Sequence, residues 1–180
     1  MIIHLNGAGG VGKLTVAKAL AAKIDAGIID NHVIIDLVTT LHKRRVLGYF
    51  AMIKKVLHLL FEELSAIPKE KPYIFTNWLS PDNPDDRYRM DSVAIFAEKR
   101  GVPFIQVLLE CDLEENKKRV ISEDRKGKGK LMDADILEDL YLNSEVYHPE
   151  ATHRLTIDTT NKSPDETADE IISYINTITP

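Results

Sequence analysis

The sequence predicts an α/β protein, a three-layer αβα sandwich built around a five-stranded parallel sheet. Segments typical of strands and of helices alternate five times along the 180 residues. Most of the strand-like segments are continuous apolar runs, which is typical of strands covered on both faces. A chain of this length with 44% hydrophobic residues suits one domain with a full core, so we expect residues 1–180 to form a single unit.

The first half of the chain opens with an apolar run, residues 2–5, which ends at a glycine-rich turn and predicts a buried strand. Apolar residues then recur at helical spacing between positions 16 and 24. Residues 27–30 predict a second short strand. Residues 34–64 predict a long helical region that is broken near residues 47–48.

Turn residues separate the elements of the second half of the chain. Residues 72–78 predict the third strand, and a turn with helix-start chemistry precedes a helix at 88–100, which Gly101 ends. The remaining predicted elements are a fourth strand at 103–110, helices at 113–124 and 133–147, a fifth strand at 153–158, and a last helix at 163–178 that begins with Ser163, Pro164, Asp165 and Glu166.

Polar residues stand at the ends of the predicted strands. In open parallel sheets the carboxyl ends of the strands form one edge, and ligands bind there. We therefore expect these side chains to gather along one rim of the sheet: Asn6, Asp30, Asn77, Glu110 and Asp158.

The segment NGAGGVGKLT, residues 6–15, fits two phosphate-binding loops at once. Gly7, Gly9 and Gly12 match the dinucleotide pattern G-x-G-x-x-G, and Asp30 ends the next strand, near where an acidic ribose partner belongs. Gly7, Gly12 and Lys13 match G-x-x-x-x-G-K, the start of a triphosphate-binding loop. A purely structural turn is the third interpretation.

Three features favour the triphosphate loop. Lys13 directly follows Gly12 and can reach the β and γ phosphates. About 40 mostly helical residues separate the second and third strands, where mononucleotide kinases place their acceptor-binding helices. A basic segment, DRKGKGK at 124–130, lies between two late helices, and a dinucleotide-binding domain has no need of one.

The residue after Lys13 departs from this pattern. Backbone N–H groups of residues 9–15 would cradle phosphate oxygens, and Lys13 would add a positive charge at the transferred phosphate. The usual Ser or Thr that binds Mg²⁺ is replaced by Leu14, which has no oxygen. Thr15 is rotated by about 100 degrees along a helix from that position. Asp30 is therefore the best candidate to hold Mg²⁺, through water.

Composition excludes some broad classes. The formal net charge of −5 argues against a general affinity for nucleic acid or for anionic membranes. The single cysteine, Cys111, cannot form an internal disulfide, and neither a signal peptide nor a membrane-spanning run is evident. We expect a cytoplasmic protein, either a monomer or a homodimer.

Four segments resemble the small P-loop phosphotransferases of the nucleoside-kinase-like group, which includes shikimate, gluconate and adenylylsulfate kinases, chloramphenicol phosphotransferase and zeta toxins. GAGGVGKLT is similar to their phosphate loop, and IIDNH to their second strand, whose terminal Asp faces the acceptor. CDLEENKKRVISEDR is similar to the segment that carries lid arginines. IDTTNKSPDETADEI is similar to their fifth strand, adenine-contacting loop and last helix.

The resemblance implies an enzyme that uses ATP and Mg²⁺ to phosphorylate a hydroxyl group of a small molecule. It implies catalytic roles for Lys13, Asp30 and Arg125, with Asp30 as base or water-mediated metal ligand, and an acceptor site at Asp30, His32 and Asn77. It places acceptor-binding helices at about 31–70 and a lid at about 119–133. The implied ATP-binding residues are Gly7, Gly9, Gly10, Val11, Gly12, Lys13, Leu14, Thr15, Arg119, Thr159, Thr160 and Asn161.

Two departures keep other functions open. Relatives often carry an acid and a glycine after the third strand, where this chain has Asn77 and Trp78. With Leu14, this favours a nucleotide-binding switch or degenerate NTPase without an acceptor as the alternative to a kinase. An NAD-type dinucleotide-binding protein is the third possibility. Basic residues of the long helical region either bind an anionic acceptor or face water: Arg44, Arg45, Lys54 and Lys55.

Overall fold

The predicted three-layer fold is confirmed by the computed structural model, which describes residues 1–44, 46, 48–125 and 130–178, the side chain of Asp124 excepted. Its five strands form one all-parallel sheet in the order β2-β3-β1-β4-β5. The strands are β1 (Ile2–Asn6), β2 (Gly27–Asp30), β3 (Tyr73–Thr76), β4 (Phe104–Glu110) and β5 (His153–Asp158).

Helices cover both faces of the sheet. The α-helices within the described chain are α1 (Lys13–Ile24), α2 (Asn31–Thr39), α3 (Tyr49–Ala66), α4 (Pro84–Arg100), α5 (Leu113–Val120), α6 (Ala134–Asn143) and α7 (Pro164–Ile178). Alternate residues of β1 divide the core, as the two-residue period of a strand requires. Ile3 and Leu5 pack with α1 and α7, whereas Ile2 packs on the other face with α3 and α4.

Several element boundaries differ from the sequence-based expectation. Helix α4 begins at Pro84 rather than at 88, because the Asn83 side chain caps it and Pro84 suits a first turn. The region predicted as one broken helix is two helices, α2 and α3, and Gly48 precedes α3 in a left-handed conformation, φ 90°. Helix α5 ends at Val120 and is followed by a short 3₁₀ turn at Glu123–Arg125.

The strand order bears on the dinucleotide alternative. In the usual dinucleotide-binding fold β2 lies beside β1. Here β3 lies between them and pairs with both, with Ile74 opposite Ile3 on one side and Ile28 on the other. The loop after β1 therefore opens at the middle of the sheet, with α2 and α3 on one flank. None of the helices in the described ranges has the length and apolar character needed to cross a membrane.

Candidate active site

The loop between β1 and α1 takes its shape from two glycines. Gly10 and Gly12 have φ of 94° and 96°, in the left-handed region that residues with a Cβ rarely adopt. A Cβ on Gly10 would also overlap the Oδ1 atom of Asn116. No side chain among the described residues caps the start of α1, so its first N–H groups stay available for an anion.

Asn116 of α5 braces this loop. Its side chain is fully buried, and its Nδ2 donates to the carbonyl oxygen of Gly9 at 2.9 Å and to the Tyr141 hydroxyl at 2.8 Å. The ring of Trp78 lies on the other side, 3.1 Å from where a Cβ on Gly9 would stand. No sequence pattern indicated that Asn116 and Trp78 contact the loop, because both residues are far from it in the chain.

Lys13 is held against the loop itself. Its Nζ donates to the carbonyl oxygens of Gly7 and Ala8, both at 2.7 Å. Burial, and next the nearby Arg125 guanidinium, lower the pKa of Lys13 to about 7, although Asp30 acts in the opposite direction. Lys13 therefore gains or loses its charge near neutral pH.

Nucleotide affinity should consequently depend on pH. Bound phosphate favours the protonated lysine, so we expect ADP to bind most tightly below pH 7 and to lose up to about tenfold in affinity per pH unit above it. ADP titrations at several pH values check this. In a Lys13→Arg variant the side chain is always protonated, so the loss of ADP affinity above pH 7 that Lys13 causes should be absent. An equal dependence of ADP affinity on pH in the two proteins would contradict the prediction.

A cleft of about 750 Å³ opens in front of the loop. Gly9, Gly10, Gly12, Lys13, Leu14 and Thr15 line one wall, and residues of α2, α3 and the start of α4 line another. Basic side chains outnumber acidic ones in the lining, although the whole chain carries a net charge of −5. The basic ones are Lys13, Arg44, Arg89, Arg125 and Lys130, and the acidic ones are Asp30, Asp86 and Glu145. This charge balance suits an anionic ligand.

Two residues of the predicted phosphate loop do not line the cleft. Gly7 is buried, and a Cβ there would overlap the carbonyl oxygen of Leu109. The Val11 side chain is 1% exposed and belongs to the core. Only the backbones of these two residues could contribute to phosphate binding.

Asp30 lies at the end of β2 and lines the cleft. Its Oδ1 accepts from the Thr76 hydroxyl at 2.8 Å and from the His32 backbone N–H at 3.3 Å, which caps α2. Asp30 therefore caps α2 and lines the cleft with the same side chain. His32 lines the same cleft, and burial is the main reason that its pKa is lowered.

Asn77 follows β3, and a hydrogen bond to the neighbouring strand β1 holds its side chain. Its Oδ1 lies 2.9 Å from Nε2 of His4, a fully buried histidine of β1. Burial lowers the pKa of His4 to about 4, so the ring is neutral at neutral pH and its Nε2–H donates to Asn77. Asn77 lines the cleft, and the amide nitrogen is the end of this side chain that remains to serve a ligand.

The residues predicted to contact adenine lie apart from this cleft. Arg119 donates to Glu115 and to the Thr159 and Thr160 carbonyl oxygens, so it joins α5 to the loop after β5. The buried Thr159 hydroxyl donates to the Glu110 carbonyl oxygen at 2.8 Å. Thr160 lines a second cavity, of about 620 Å³, together with Asp112, Asp158 and Tyr141. Asn161 is exposed. Adenine contacts by these residues stay predictions.

The predicted lid is described only in part. Arg125 lines the cleft and donates to the carbonyl oxygen of Leu131 through Nε and Nη2, at 3.3 and 3.1 Å. Residues 126–129, in the middle of the predicted 119–133 lid, lie outside the described residues, as does Arg45. Arg44 lines the cleft, whereas Lys54 pairs with Asp85 and Lys55 is exposed.

The donor atoms near the phosphate loop fit Mg²⁺ only in a limited way. No group of three or more His, Cys, Asp or Glu side chains within the described chain could hold a metal. Asp30, with the Thr76 hydroxyl beside it, supplies one carboxylate at the cleft. Such a set suits Mg²⁺ that keeps waters and takes its other ligands from phosphate oxygens.

Solved structures with this fold cover nearly the whole chain. A gluconokinase from Sinorhizobium meliloti superposes with a TM-score of 0.61 at 15% identity, over 98% of this chain and 91% of that chain. A shikimate kinase from Acinetobacter baumannii, solved with shikimate, gives 0.58 at 20% identity, over 99% and 94%. An APS kinase from Mycobacterium tuberculosis, solved with AMPPNP and APS, gives 0.57 at 17% identity, over 97% and 96%. No protein-family model and no curated protein sequence matches the chain.

Proposed function

We propose, from the small P-loop kinase-like fold that this chain shares with those structures, that it transfers the γ-phosphate of ATP to a hydroxyl group of a small molecule. The observation that carries the proposal is one cleft that holds an uncapped helix start, Lys13 and the carboxylate of Asp30. A phosphate-binding element and a candidate base face the same space.

The chain's own residues divide the reaction between them. Backbone N–H groups at the start of α1 and the Lys13 ammonium bind the β and γ phosphates and stabilise the charge that develops on the transferred group. Arg125, at the same wall, adds a second positive charge. The acceptor oxygen forms the new bond to phosphorus, the bond between the γ phosphorus and the bridging oxygen breaks, and ADP leaves.

Asp30 receives the proton of the acceptor hydroxyl. Its Oδ1 is occupied by Thr76 and by the His32 N–H, which fixes the carboxylate and leaves Oδ2 as the oxygen for the proton. When bound, Mg²⁺ would neutralise charge on the phosphates, and Asp30 is the residue that would hold it through water. Asn77 replaces an acid at the end of β3 and can only contribute hydrogen bonds.

Two measurements separate this function from its alternatives. ATP, ADP and NAD binding should first be compared, and then ADP release should be measured with and without a library of hydroxylated metabolites. We expect ATP binding and acceptor-stimulated ADP release. ATP binding with slow hydrolysis that no acceptor stimulates would favour the nucleotide-binding switch, which Leu14 and Asn77 support. Tight NAD binding without ATP binding would favour a dinucleotide-binding protein.

Leu14 sets the expected metal dependence. Its side chain lines the cleft at the position after Lys13, so a Leu14→Thr variant would place a hydroxyl near the phosphates. We expect half-saturating Mg²⁺ for phosphoryl transfer to fall by roughly tenfold, since a protein ligand would replace a water. Thr15→Val is the matched control and should leave the Mg²⁺ titration unchanged. An unchanged titration for Leu14→Thr would show that position 14 does not face the metal.

A further inference from the structure

Arg89 is a charged residue that no sequence motif singles out. It lies on the second turn of α4, is 8% exposed, and lines the cleft. Helix α4 is the next element after β3, and the Asn83 cap and Pro84 fix its start. The guanidinium is therefore carried by a rigid element to the start of α2, where Asn31 lies.

The hydrogen bonds of Arg89 are incomplete. Its Nε is buried and has no hydrogen-bond partner within the described chain. Its Nη1 donates to Oδ1 of Asn31 at a long 3.4 Å and lies 3.9 Å from the Asp86 carboxylate, at the limit of an ion pair. The Asp86 oxygen nearest to Arg89 is Oδ1, and its other oxygen, Oδ2, accepts from the Ser80 N–H at 3.2 Å.

A buried guanidinium with incomplete hydrogen bonds is unfavourable unless a ligand supplies the missing acceptors. A buried guanidinium without close acceptors loses hydration and gains little in return. Arg119 shows the alternative in the same protein, since four acceptors surround its guanidinium. Arg89 resembles a binding group more than a structural tie, because its Nε has no partner within the described chain and its Nη1 makes one long hydrogen bond at the wall of a cleft.

The neighbours of Arg89 favour the same class of ligand. Asn77 presents its amide nitrogen as a donor, since its Oδ1 is bound to His4. Arg44 adds a further positive charge to the lining, and Asp30 is the carboxylate that faces the phosphate loop. Asn77 and Arg44 therefore add donors to the cleft that Arg89 lines.

We propose that the acceptor carries an oxyanion, a carboxylate or a phosphate ester, in addition to its reacting hydroxyl, and that Arg89 binds this oxyanion. The planar guanidinium offers paired N–H donors that match either group. This orients the acceptor, with the oxyanion on Arg89 and the hydroxyl towards Asp30. The inference rests on the proposed kinase function, because that function defines which ligand occupies this side of the cleft.

Protein NMR tests this inference even while the acceptor is unidentified. The protein is first saturated with AMPPNP, so that the phosphate loop is filled, and then titrated separately with inorganic phosphate and with acetate. The Arg89 Nε–H resonance, assigned by its loss in Arg89→Met, should shift and saturate with at least one of the two anions, which also distinguishes a phosphate site from a carboxylate site. No shift of this resonance with either anion would overturn the proposal.

Variants add a second readout through the side-chain amide resonances of Asn31 and Asn77. We expect the anion affinity obtained from these amide shifts to fall by at least roughly tenfold in Arg89→Met. Arg89→Lys should retain part of that affinity, because it keeps the charge without the planar guanidinium. Arg87→Met is the matched control, because Arg87 is exposed on the same helix and bonds the Pro81 carbonyl oxygen. Shifts that survive Arg89→Met unchanged would place the anion elsewhere.

Failure of AMPPNP to shift the backbone amide resonances of residues 9–15 would instead count against the kinase function. The Arg89 titration with phosphate and acetate can still be interpreted in that case.

Discussion

Replacing Lys13 with methionine is expected to abolish phosphoryl transfer, with kcat reduced by at least about 10²- to 10³-fold. Lys13 is the basic side chain of the phosphate loop, and its ammonium lies beside the Gly7 and Ala8 carbonyl oxygens at the mouth of the cleft. Methionine keeps most of the apolar stem but supplies neither the charge nor the N–H donors. Single-turnover transfer, with an acceptor that the metabolite library reveals, measures the loss.

The control for this variant is Lys18→Met, because Lys18 is exposed on the same helix and should be dispensable. Circular dichroism and thermal unfolding of both variants show whether the fold is intact. Near-normal turnover in a folded Lys13→Met protein would mean that the loop after β1 does not bind the transferred phosphate. Loss of activity in both variants would point to a general effect on α1.

Replacing Asp30 with asparagine is expected to lower kcat by about 10²- to 10⁴-fold, the usual range for removal of a general base. Asparagine caps helices about as well as aspartate, so the cap on α2 should survive. The substitution thus separates the charge of Asp30 from its structural role. ATP affinity should change little if Asp30 acts chiefly on the acceptor proton.

Asp36→Asn is the matched control for Asp30, since Asp36 is an exposed carboxylate on the same helix. A further readout distinguishes a base from a positioning residue. If Asp30 accepts the proton, Asp30→Asn should lower kcat with little change in the KM for the acceptor, whereas loss of a positioning contact should raise that KM as well. An Asp30→Asn variant with undiminished kcat would assign the proton to water or to the phosphate itself.

The sheet and the glycine-rich loop after β1 were predictable from sequence because their signals are local. Strands covered on both faces read as apolar runs, and β2, β5 and α7 lie where their residues indicated. The loop is recognisable from glycines and Lys13 at fixed spacing between a strand and a helix. The end of β2 likewise placed Asp30 at the rim beside that loop.

The supporting residues were not predictable because their roles depend on distant contacts. Asn116 looks like any polar residue in a charged helix, yet it is fully buried against Gly9. Arg89 sits among acids and arginines, in a segment typical of a solvated helix face, and only packing shows it to be buried. Arg119 and Thr159 were predicted to face adenine, and both engage each other across α5 and the loop after β5.

The contacts of Asn116 and Thr159 also make the loop after β1 depend on distant parts of the chain. Asn116 is 107 positions from Gly9, and Thr159, whose hydroxyl lies 3.3 Å from the Val11 carbonyl oxygen, is 148 positions from Val11. Contacts at such separations form only after long stretches of chain have been brought together, at a cost in chain entropy. The loop after β1, although encoded in the first fifteen residues, therefore takes its final shape only where α5 and the segment after β5 pack against it. A substitution at Asn116 or Thr159 would thus disturb this loop without altering its glycine pattern.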